Sequence, residues 1–277
     1  MEQALEKYFI DNGKLKPVGS FYDFLNESGT YIFEVVRVIG GIPLFVEEHL
    51  ERLRNSAVKT AIGTSANLKE IKESVHRLIS KNNTKTGNIK IVCGYYREEV
   101  HSWIYFIPYK YPSEKDYSEG VEVGILYTER INPEAKTIQP QVRETANALI
   151  KSGNYYEVLL ADRHGYIREG SRSNVFFIQG SMILTPPEST VLNGITRRKV
   201  LEILNQECCK FKEAPVRISS LGKFDCIFLT GTSPKVLPVR SVDGIVFDPC
   251  NQTCRKIMAR FNALADLYIS GKIKKIY

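Results

Sequence analysis

The chain has 277 residues, of which 43% are hydrophobic and 25% are charged, so it can form one large core or two modest ones and lacks the composition of a disordered chain. The formal net charge is +7, but lysine and arginine are scattered among aspartate and glutamate. A nucleic-acid-binding protein usually concentrates its positive charge on one face, so no nucleic-acid partner is predicted. The basic cluster Lys272 to Lys275 is typical of a solvated tail.

The first residues, Met1 to Lys7, carry acidic side chains and no apolar core, so they do not resemble a signal peptide. No apolar run approaches the roughly 18 residues that a membrane-spanning helix needs. We therefore expect a cytoplasmic protein without a membrane partner, whose six cysteines remain thiols. Cys250 and Cys254 are four residues apart, but no histidine or second cysteine pair stands near them, and no metal site is predicted.

In chain order, the first half alternates between strands and helices. Asn12-Gly13 is a hairpin turn signal that follows a short apolar strand. Residues 31–39 are β-branched and aromatic, which predicts a strand ending at Gly40. Apolar residues then recur at helical spacing from residue 47 and again over 68–79. Two further strands are predicted over 89–94 and 103–108.

The polar, proline-bearing stretch after residue 110 predicts a linker over 113–119, between an N-terminal α/β domain (1–112) and a C-terminal domain (120–277). In the second domain, strands are predicted over 121–127, 157–161, 175–178 and 226–230. Helices are predicted over 141–152, 196–206 and 253–269, the last of them closed by Gly271 as a C-terminal cap.

Two short segments are similar to turns that bind phosphate. Gly194 and Thr196 stand at the predicted start of a helix, where free backbone N–H groups and the helix dipole favour an anion. Gly231 and Thr232 follow an apolar strand, where glycine lets the backbone approach a ligand and the hydroxyl can hydrogen-bond to it. Taken alone, the first is more typical of an ordinary helix start and the second of a simple turn.

Two charged segments also stand out. Glu169 opens the stretch Glu169 to Asn174 ahead of an apolar strand, where a carboxylate could pair with a buried cation, although a solvated turn acid is the ordinary alternative. Arg52 lies four residues after Glu48 in a predicted helix, so an exposed ion pair between them would explain it. His49, next to Glu48, is more typical of a structural histidine than of a catalytic base.

In this order and spacing, the segments resemble the class IV aminotransferases, which are the fold type IV pyridoxal-phosphate enzymes. The resemblance covers most of the chain. It is carried by Phe33-Glu34, His49 to Leu53, Glu169 to Phe176, Gly194 to Arg197, Thr230 to Thr232 and Pro238-Val239. It implies an α/β (α+β) fold of two domains, a smaller N-terminal α/β domain and a larger C-terminal α/β domain with a pseudo-barrel. It also implies a homodimer.

By position, the resemblance assigns the cofactor aldehyde to Lys136, which lies 33 residues before Glu169, whereas Lys151 is far from that spacing. Lys136 would form the internal aldimine with pyridoxal 5′-phosphate and move the proton during catalysis. Glu169 would pair with the pyridine nitrogen and Arg52 with the phosphate. The remaining residues implied to bind the cofactor are Leu192, against the ring, and Ile195, Thr196, Gly231 and Thr232, around the phosphate.

The substrate side of the site departs from the family patterns. Ser28, Asn88 and Lys90 occupy positions where branched-chain enzymes carry tyrosine and arginine, and Lys90 matches a carboxylate-binding arginine of some D-amino-acid enzymes. Phe33, Arg37, Lys90 and Ser233 are the implied substrate-binding residues. The resemblance predicts a transaminase that moves an amino group between a branched-chain-like or D-amino acid and a 2-oxo acid. The alternative is a carbon–carbon lyase of the same fold that acts on aminodeoxychorismate.

Overall fold

The computed structural model of the chain describes residues 3–22, 30–60, 62, 67–96 and 99–273. Ser28, Lys274 and Lys275 lie outside these described residues. The helices are α1 (Val46–Val58), α2 (Leu68–Asn82), α3 (Glu114–Glu119), α4 (Pro140–Ser152), α5 (Ile195–Gln206) and α6 (Gln252–Ile273). The strands are β1 (Leu5–Asp11), β2 (Lys14–Pro17), β3 (Tyr31–Ile39), β4 (Ile42–Pro43), β5 (Thr86–Tyr96), β6 (Glu99–Ile107), β7 (Val121–Tyr127), β8 (Glu157–Ala161), β9 (Tyr166–Gly170), β10 (Asn174–Gln179), β11 (Met182–Thr185), β12 (Lys210–Glu213), β13 (Val216–Arg217), β14 (Cys226–Gly231), β15 (Lys235–Val242) and β16 (Ile245–Val246).

The chain forms two compact units, and the boundaries between them differ from the predicted domain boundaries. The first unit comprises the described residues of 1–110, 135–138 and 265–277, and the second comprises 111–134 and 139–264. The predicted boundary after residue 112 is close to residue 110, where the chain first passes from one unit to the other. However, residues 135–138 and the end of α6 belong to the first unit, because they pack against its strands and helices. Lys136 therefore belongs to the first unit and not to the second.

The predicted linker over 113–119 contains α3, which belongs to the second unit. The helix begins with a capping box, in which the Ser113 hydroxyl accepts from the Asp116 N–H and the Asp116 carboxylate accepts from the Ser113 N–H. Polar residues at a helix start resemble a linker in composition, which is why the segment was predicted to be one.

Within the described residues, the first unit contains a six-stranded antiparallel sheet in the order β2-β1-β6-β5-β3-β4. The predicted hairpin turn is confirmed, since Asn12 and Gly13 join β1 to β2 with positive φ angles of 45° and 76°. One face of the sheet packs against α1 and α2 through a buried apolar cluster that includes Val36, Leu53 and Val75.

The second unit contains, within the described residues, a ten-stranded mixed sheet in which β7 runs parallel to both β8 and β15. β10 and β14 are antiparallel neighbours, with Asn174 opposite Thr230 and the Phe176 and Phe228 rings stacked at 4.9 Å. The predicted strands over 121–127 and 157–161 are confirmed as β7 and β8. Glu169 lies on β9, which was not predicted.

The last helix, α6, extends beyond its predicted end at residue 269 and continues to Ile273. Gly271 therefore lies inside the helix and does not cap it. Tyr268 and Lys272 both donate hydrogen bonds to Glu47 on α1, which fixes the last turns. Lys272 is thus a partner in an ion pair, whereas a solvated tail was predicted. Across the described residues, no helix combines the length and apolar character needed to span a membrane.

Candidate active site

The backbone of Lys136 is fixed on both sides by the first unit. The segment 135–138 runs antiparallel to β3 on the side away from β5, where Thr137 forms a bridge to Ile32. The Phe33 N–H donates to the Lys136 carbonyl at 3.0 Å, and the Lys136 N–H donates to the buried Ser56 hydroxyl at 3.2 Å. A main-chain position held at both its N–H and its carbonyl has little freedom, so the side chain of Lys136 starts from a defined point.

Two amines lie against one aromatic ring in this unit. The Lys136 Nζ is 5.1 Å from the centroid of the Phe33 ring, and the Lys90 Nζ is 5.0 Å from it. Lys90 is only 7% exposed. Side chains alternate along a strand, and Val35 is opposite Lys90 in the β3–β5 register, so Phe33, Arg37 and Lys90 share one face of the sheet. The structure thus brings the predicted residues Phe33, Lys90 and Lys136 together, and Arg37 lies farther along the same face of β3.

Arg52, on α1, lies against the other face of β3. Its Nε donates to Glu34 Oε1 at 2.6 Å and its Nη2 donates to Glu34 Oε2 at 2.7 Å, which is a two-pronged ion pair. The His49 ring donates from Nδ1 to the same carboxylate at 2.7 Å. All three side chains are buried. The predicted exposed pair with Glu48 therefore does not account for Arg52, whose partner lies on a neighbouring strand.

This buried network shifts the pKa of Glu34 and that of His49. Burial alone would raise the pKa of Glu34, but the Arg52 charge and the hydrogen bonds from Arg52 and His49 outweigh it and hold the pKa well below its ordinary value. Burial lowers the pKa of His49, and although the hydrogen bond to Glu34 opposes this, the Arg52 and Lys136 charges add to it. His49 is therefore a neutral donor to a charged Glu34 near pH 7, which confirms a structural histidine.

Glu169 is 3% exposed in the second unit, so it is not a solvated turn acid. Its Oε2 accepts from the Leu192 N–H at 3.1 Å and from the Asn174 amide at 3.4 Å. Arg130 lies 3.3 Å from its Oε1 and also donates to the Ser171 carbonyl at 2.6 Å. The structure thus places Glu169 beside Leu192 and gives it a cationic neighbour, Arg130, that was not predicted.

Helix α5 begins at Ile195, and its N-cap residue Gly194 lies close to the Glu169 cluster, which consists of Glu169, Asn174, Leu192 and Arg130. A Cβ added to Gly194 would lie 2.1 Å from Asn174 Oδ1, so the helix start is packed tightly against this amide. Gly194 has no side chain to cap the helix, so the first N–H groups, including those of Ile195 and Thr196, have no acceptor within the helix. The buried Thr230 hydroxyl, on the strand beside Asn174, has no hydrogen-bond partner within the described residues. The residues Gly231, Thr232 and Ser233 follow it in the turn to β15.

Sequence reasoning missed Ser56 and Arg130. Ser56 lies seven residues after His49, so it is on the same face of α1, and this spacing is the signal that could have suggested it. Arg130 lies six residues before Lys136, and no sequence pattern around it marks it as a site residue. The predicted residues fall into two groups, with Phe33, Arg37, Arg52, Lys90 and Lys136 in the first unit, and Glu169, Leu192, Ile195, Thr196, Gly231, Thr232 and Ser233 in the second.

Comparisons with known proteins agree with the motif resemblance. The family model of class IV amino-transferases matches residues 31–242. A D-alanine aminotransferase from Bacillus licheniformis is 28% identical over 228 residues, 78% of this chain and 80% of that protein. A probable branched-chain-amino-acid aminotransferase from Rickettsia typhi is 28% identical over 242 residues, 82% of this chain and 84% of that protein. These matches confirm the resemblance.

Solved structures agree on the fold. The branched-chain amino acid aminotransferase of Escherichia coli superposes with a TM-score of 0.83 at 24% identity, over 94% of this chain and 95% of that one. A putative 4-amino-4-deoxychorismate lyase from Legionella pneumophila superposes with a TM-score of 0.77 at 22% identity, over 85% of this chain and 91% of that one. At these identities the likeness is one of fold, and it confirms the predicted fold class.

Proposed function

Because this chain belongs to the class IV aminotransferase family and is a transaminase, we propose that it binds pyridoxal 5′-phosphate through Lys136 and moves an amino group between an α-amino acid and a 2-oxo acid. The amino donors are branched-chain-like or D-amino acids, as the names of its relatives suggest. The proposal further includes a homodimer, for which light scattering of the purified protein gives a direct test.

The observation that carries the proposal is the juxtaposition of a buried carboxylate and an uncapped helix start. Glu169 offers the anionic acceptor that a protonated pyridine nitrogen requires, and the first N–H groups of α5 offer the donors that a phosphate requires. The unpartnered Thr230 hydroxyl, buried beside Asn174, fits a site that holds a polar group. This donor and acceptor set suits a phosphorylated pyridine.

The roles of the individual residues follow from this fit. Ile195, Thr196, Gly231 and Thr232 bind the phosphate, and Leu192 packs against the ring. Arg52 contributes its positive charge to the phosphate, although Glu34 already accepts from its Nε and Nη2. When bound, pyridoxal phosphate supplies an electron sink for the bond that breaks at the substrate Cα. Lys136 would hold the cofactor through its Nζ and, once the substrate amine has taken its place and the lysine amine is free again, would move the proton from the substrate Cα.

Lys90 is the residue that we propose to bind the substrate carboxylate. Its amine is buried beside Phe33, and the Lys136 amine lies at the same ring, so a carboxylate that pairs with Lys90 would hold the substrate Cα near Lys136. Arg37 on the same face and Ser233 are the further substrate-binding residues of the proposal.

The test is an assay of the holoenzyme with single L- and D-amino acids and 2-oxoglutarate, and separately with aminodeoxychorismate. We expect transamination of at least one amino acid and no lyase product. In Lys90→Met, which removes the charge and keeps the length, KM for the amino donor should rise about tenfold or more. The exposed Lys85→Met is the matched control. Turnover of aminodeoxychorismate alone would overturn the proposed reaction, and an unchanged KM in Lys90→Met would remove Lys90 from its role.

A further inference from the structure

The buried carboxylate of Glu157 lies in the second unit and has no role in the function described above. We propose that Glu157 is a positioning residue, which holds the turn between β9 and β10 so that Glu169 is presented to the cofactor's ring nitrogen. The inference rests on the proposed role of Glu169. It adds a residue whose effect on the cofactor acts entirely through another side chain.

Glu157 is fixed at both of its carboxylate oxygens. Oε1 accepts from the Val158 N–H at 2.9 Å and from the Ser171 hydroxyl at 2.6 Å. Oε2 accepts from the Arg172 N–H and from the Ser173 hydroxyl, both at 3.1 Å. The side chain is 3% exposed, so water does not replace these donors. Three consecutive residues of one turn are thus tied to a single carboxylate.

The turn that Glu157 holds connects the two strands that carry the Glu169 cluster. Glu169 and Gly170 end β9, and Asn174, whose amide donates to Glu169, begins β10. The Gly170 N–H donates to the Ser173 carbonyl at 2.7 Å, and a Cβ on Gly170 would lie 2.1 Å from the Ser173 hydroxyl oxygen. Because the turn is this tight, a displacement at Ser173 moves the ends of both strands.

The arrangement requires a carboxylate and not merely a side chain of that size. A glutamine at position 157 would keep one acceptor oxygen. In place of Oε2, however, its amide nitrogen would face two groups that now donate to Oε2, the Arg172 N–H and the Ser173 hydroxyl. A buried N–H left without an acceptor costs more than an ordinary hydrogen bond is worth. The turn would therefore shift to relieve it, and Glu169 would shift with the turn.

The experiment compares pyridoxal 5′-phosphate with its analogue in which carbon replaces the ring nitrogen. Dissociation constants are measured by dialysis of the full-length protein loaded with either compound. Glu157→Gln should weaken binding of pyridoxal phosphate about tenfold, the size expected for a hydrogen bond to a charged group, and leave binding of the analogue unchanged. Glu169→Gln should show the same selective loss, and Ser173→Ala a smaller one. Glu122→Gln, at a half-exposed acid on β7 that pairs with Arg240, is the matched control.

The outcomes separate this inference from the proposed function. If Glu169→Gln weakens both compounds equally, the proposed contact between Glu169 and the ring nitrogen fails. A second outcome is that Glu169→Gln weakens binding of pyridoxal phosphate alone while Glu157→Gln weakens binding of both compounds or of neither. In that case Glu157 has only a structural role and the inference is overturned. Should Glu157→Gln fail to fold, Ser173→Ala carries the same comparison, since it removes one of the donors and leaves the carboxylate in place.

Discussion

Glu34 has no exposed surface, yet it carries a negative charge that Arg52 and His49 balance. Substituting Glu34→Gln would leave the buried guanidinium without its anion while changing the side-chain volume very little. Breaking one side of a buried ion pair costs about 3–5 kcal/mol, so we expect the free energy of unfolding to fall by roughly this amount. Urea unfolding at saturating cofactor measures it.

The matched control for this substitution is Glu51→Gln, on the same helix as Arg52. Glu51 pairs with Arg54 at 2.5 Å, but both side chains are about half exposed. Water screens such a pair, and its loss should cost at most about 0.5 kcal/mol. Equal losses in the two variants would mean that burial of the Glu34 pair has no energetic consequence.

His49 gives the pH dependence of stability a defined direction. Its pKa in the folded protein is lowered below the ordinary 6.5, chiefly by burial, so below about pH 6.5 the unfolded chain binds a proton that the folded protein does not. Stability should therefore fall as the pH is lowered through this range. His49→Gln keeps a donor for Glu34 and removes the titration, so it should lose less stability than the wild type between pH 7.5 and pH 5.5.

His76 provides a second variant in the same measurement. His76 is exposed, but partial desolvation and the Lys72 charge also lower its pKa, so His76→Gln should remove the His76 contribution to the change of stability with pH and leave that of His49. A wild-type slope that survives unchanged in His49→Gln would contradict the account of the buried network.

At the scale of elements, the start of α5 depends on the absence of a side chain at Gly194. In Gly194→Ala, the new Cβ would meet Asn174 Oδ1, and this amide is already held by Leu192 and Glu169. Forcing atoms into such a packed site costs about 1–3 kcal/mol. We expect a corresponding loss in the free energy of unfolding, together with weaker binding of pyridoxal phosphate.

Gly271→Ala is the control for this prediction, since the structure leaves open space at its Cβ and the residue lies within α6. Alanine in a helix interior is favoured over glycine by about 0.5–1 kcal/mol, so this variant should be slightly more stable than the wild type. Destabilisation of the same size in both variants would mean that the loss at Gly194 reflects glycine replacement in general and not contact with Asn174.

The elements differ in how far the sequence could predict them. β3, β7 and β8 are apolar and β-branched, and each has the bounds that its pattern predicted. β15 was not predicted, because Pro238 interrupts its pattern and lacks the N–H that a strand interior usually donates. β9 was missed because Glu169 resembles a polar turn residue until its buried partners are known.

The site was predictable only where family motifs mark it. Arg52 was first explained by Glu48 within its own helix, whereas its partner Glu34 lies 18 residues away on a strand. The contact between Lys136 and Phe33 joins positions 103 residues apart. No local pattern encodes such pairs, because they arise from the packing of separate segments. Ser56, Arg130 and Glu157 belong to this class.

At the scale of the whole molecule, residues of both units contribute to one proposed activity, and Lys136 is the residue on which it depends. Lys136 was assigned from its spacing of 33 residues to Glu169 in the sequence. The structure shows a second lysine that could hold the cofactor. Lys90 faces the same Phe33 ring, at 5.0 Å against 5.1 Å for Lys136. Either amine would be chemically able to hold the aldehyde of the cofactor.

Borohydride reduction of the protein loaded with pyridoxal phosphate, followed by peptide mass mapping, distinguishes the two lysines most directly. We predict that the phosphopyridoxyl group is fixed to Lys136 in the wild type and that Lys136→Ala fixes none, while Lys90→Met still fixes it at Lys136. A group fixed to Lys90 in the wild type, or one that persists on the chain of Lys136→Ala, would contradict the account.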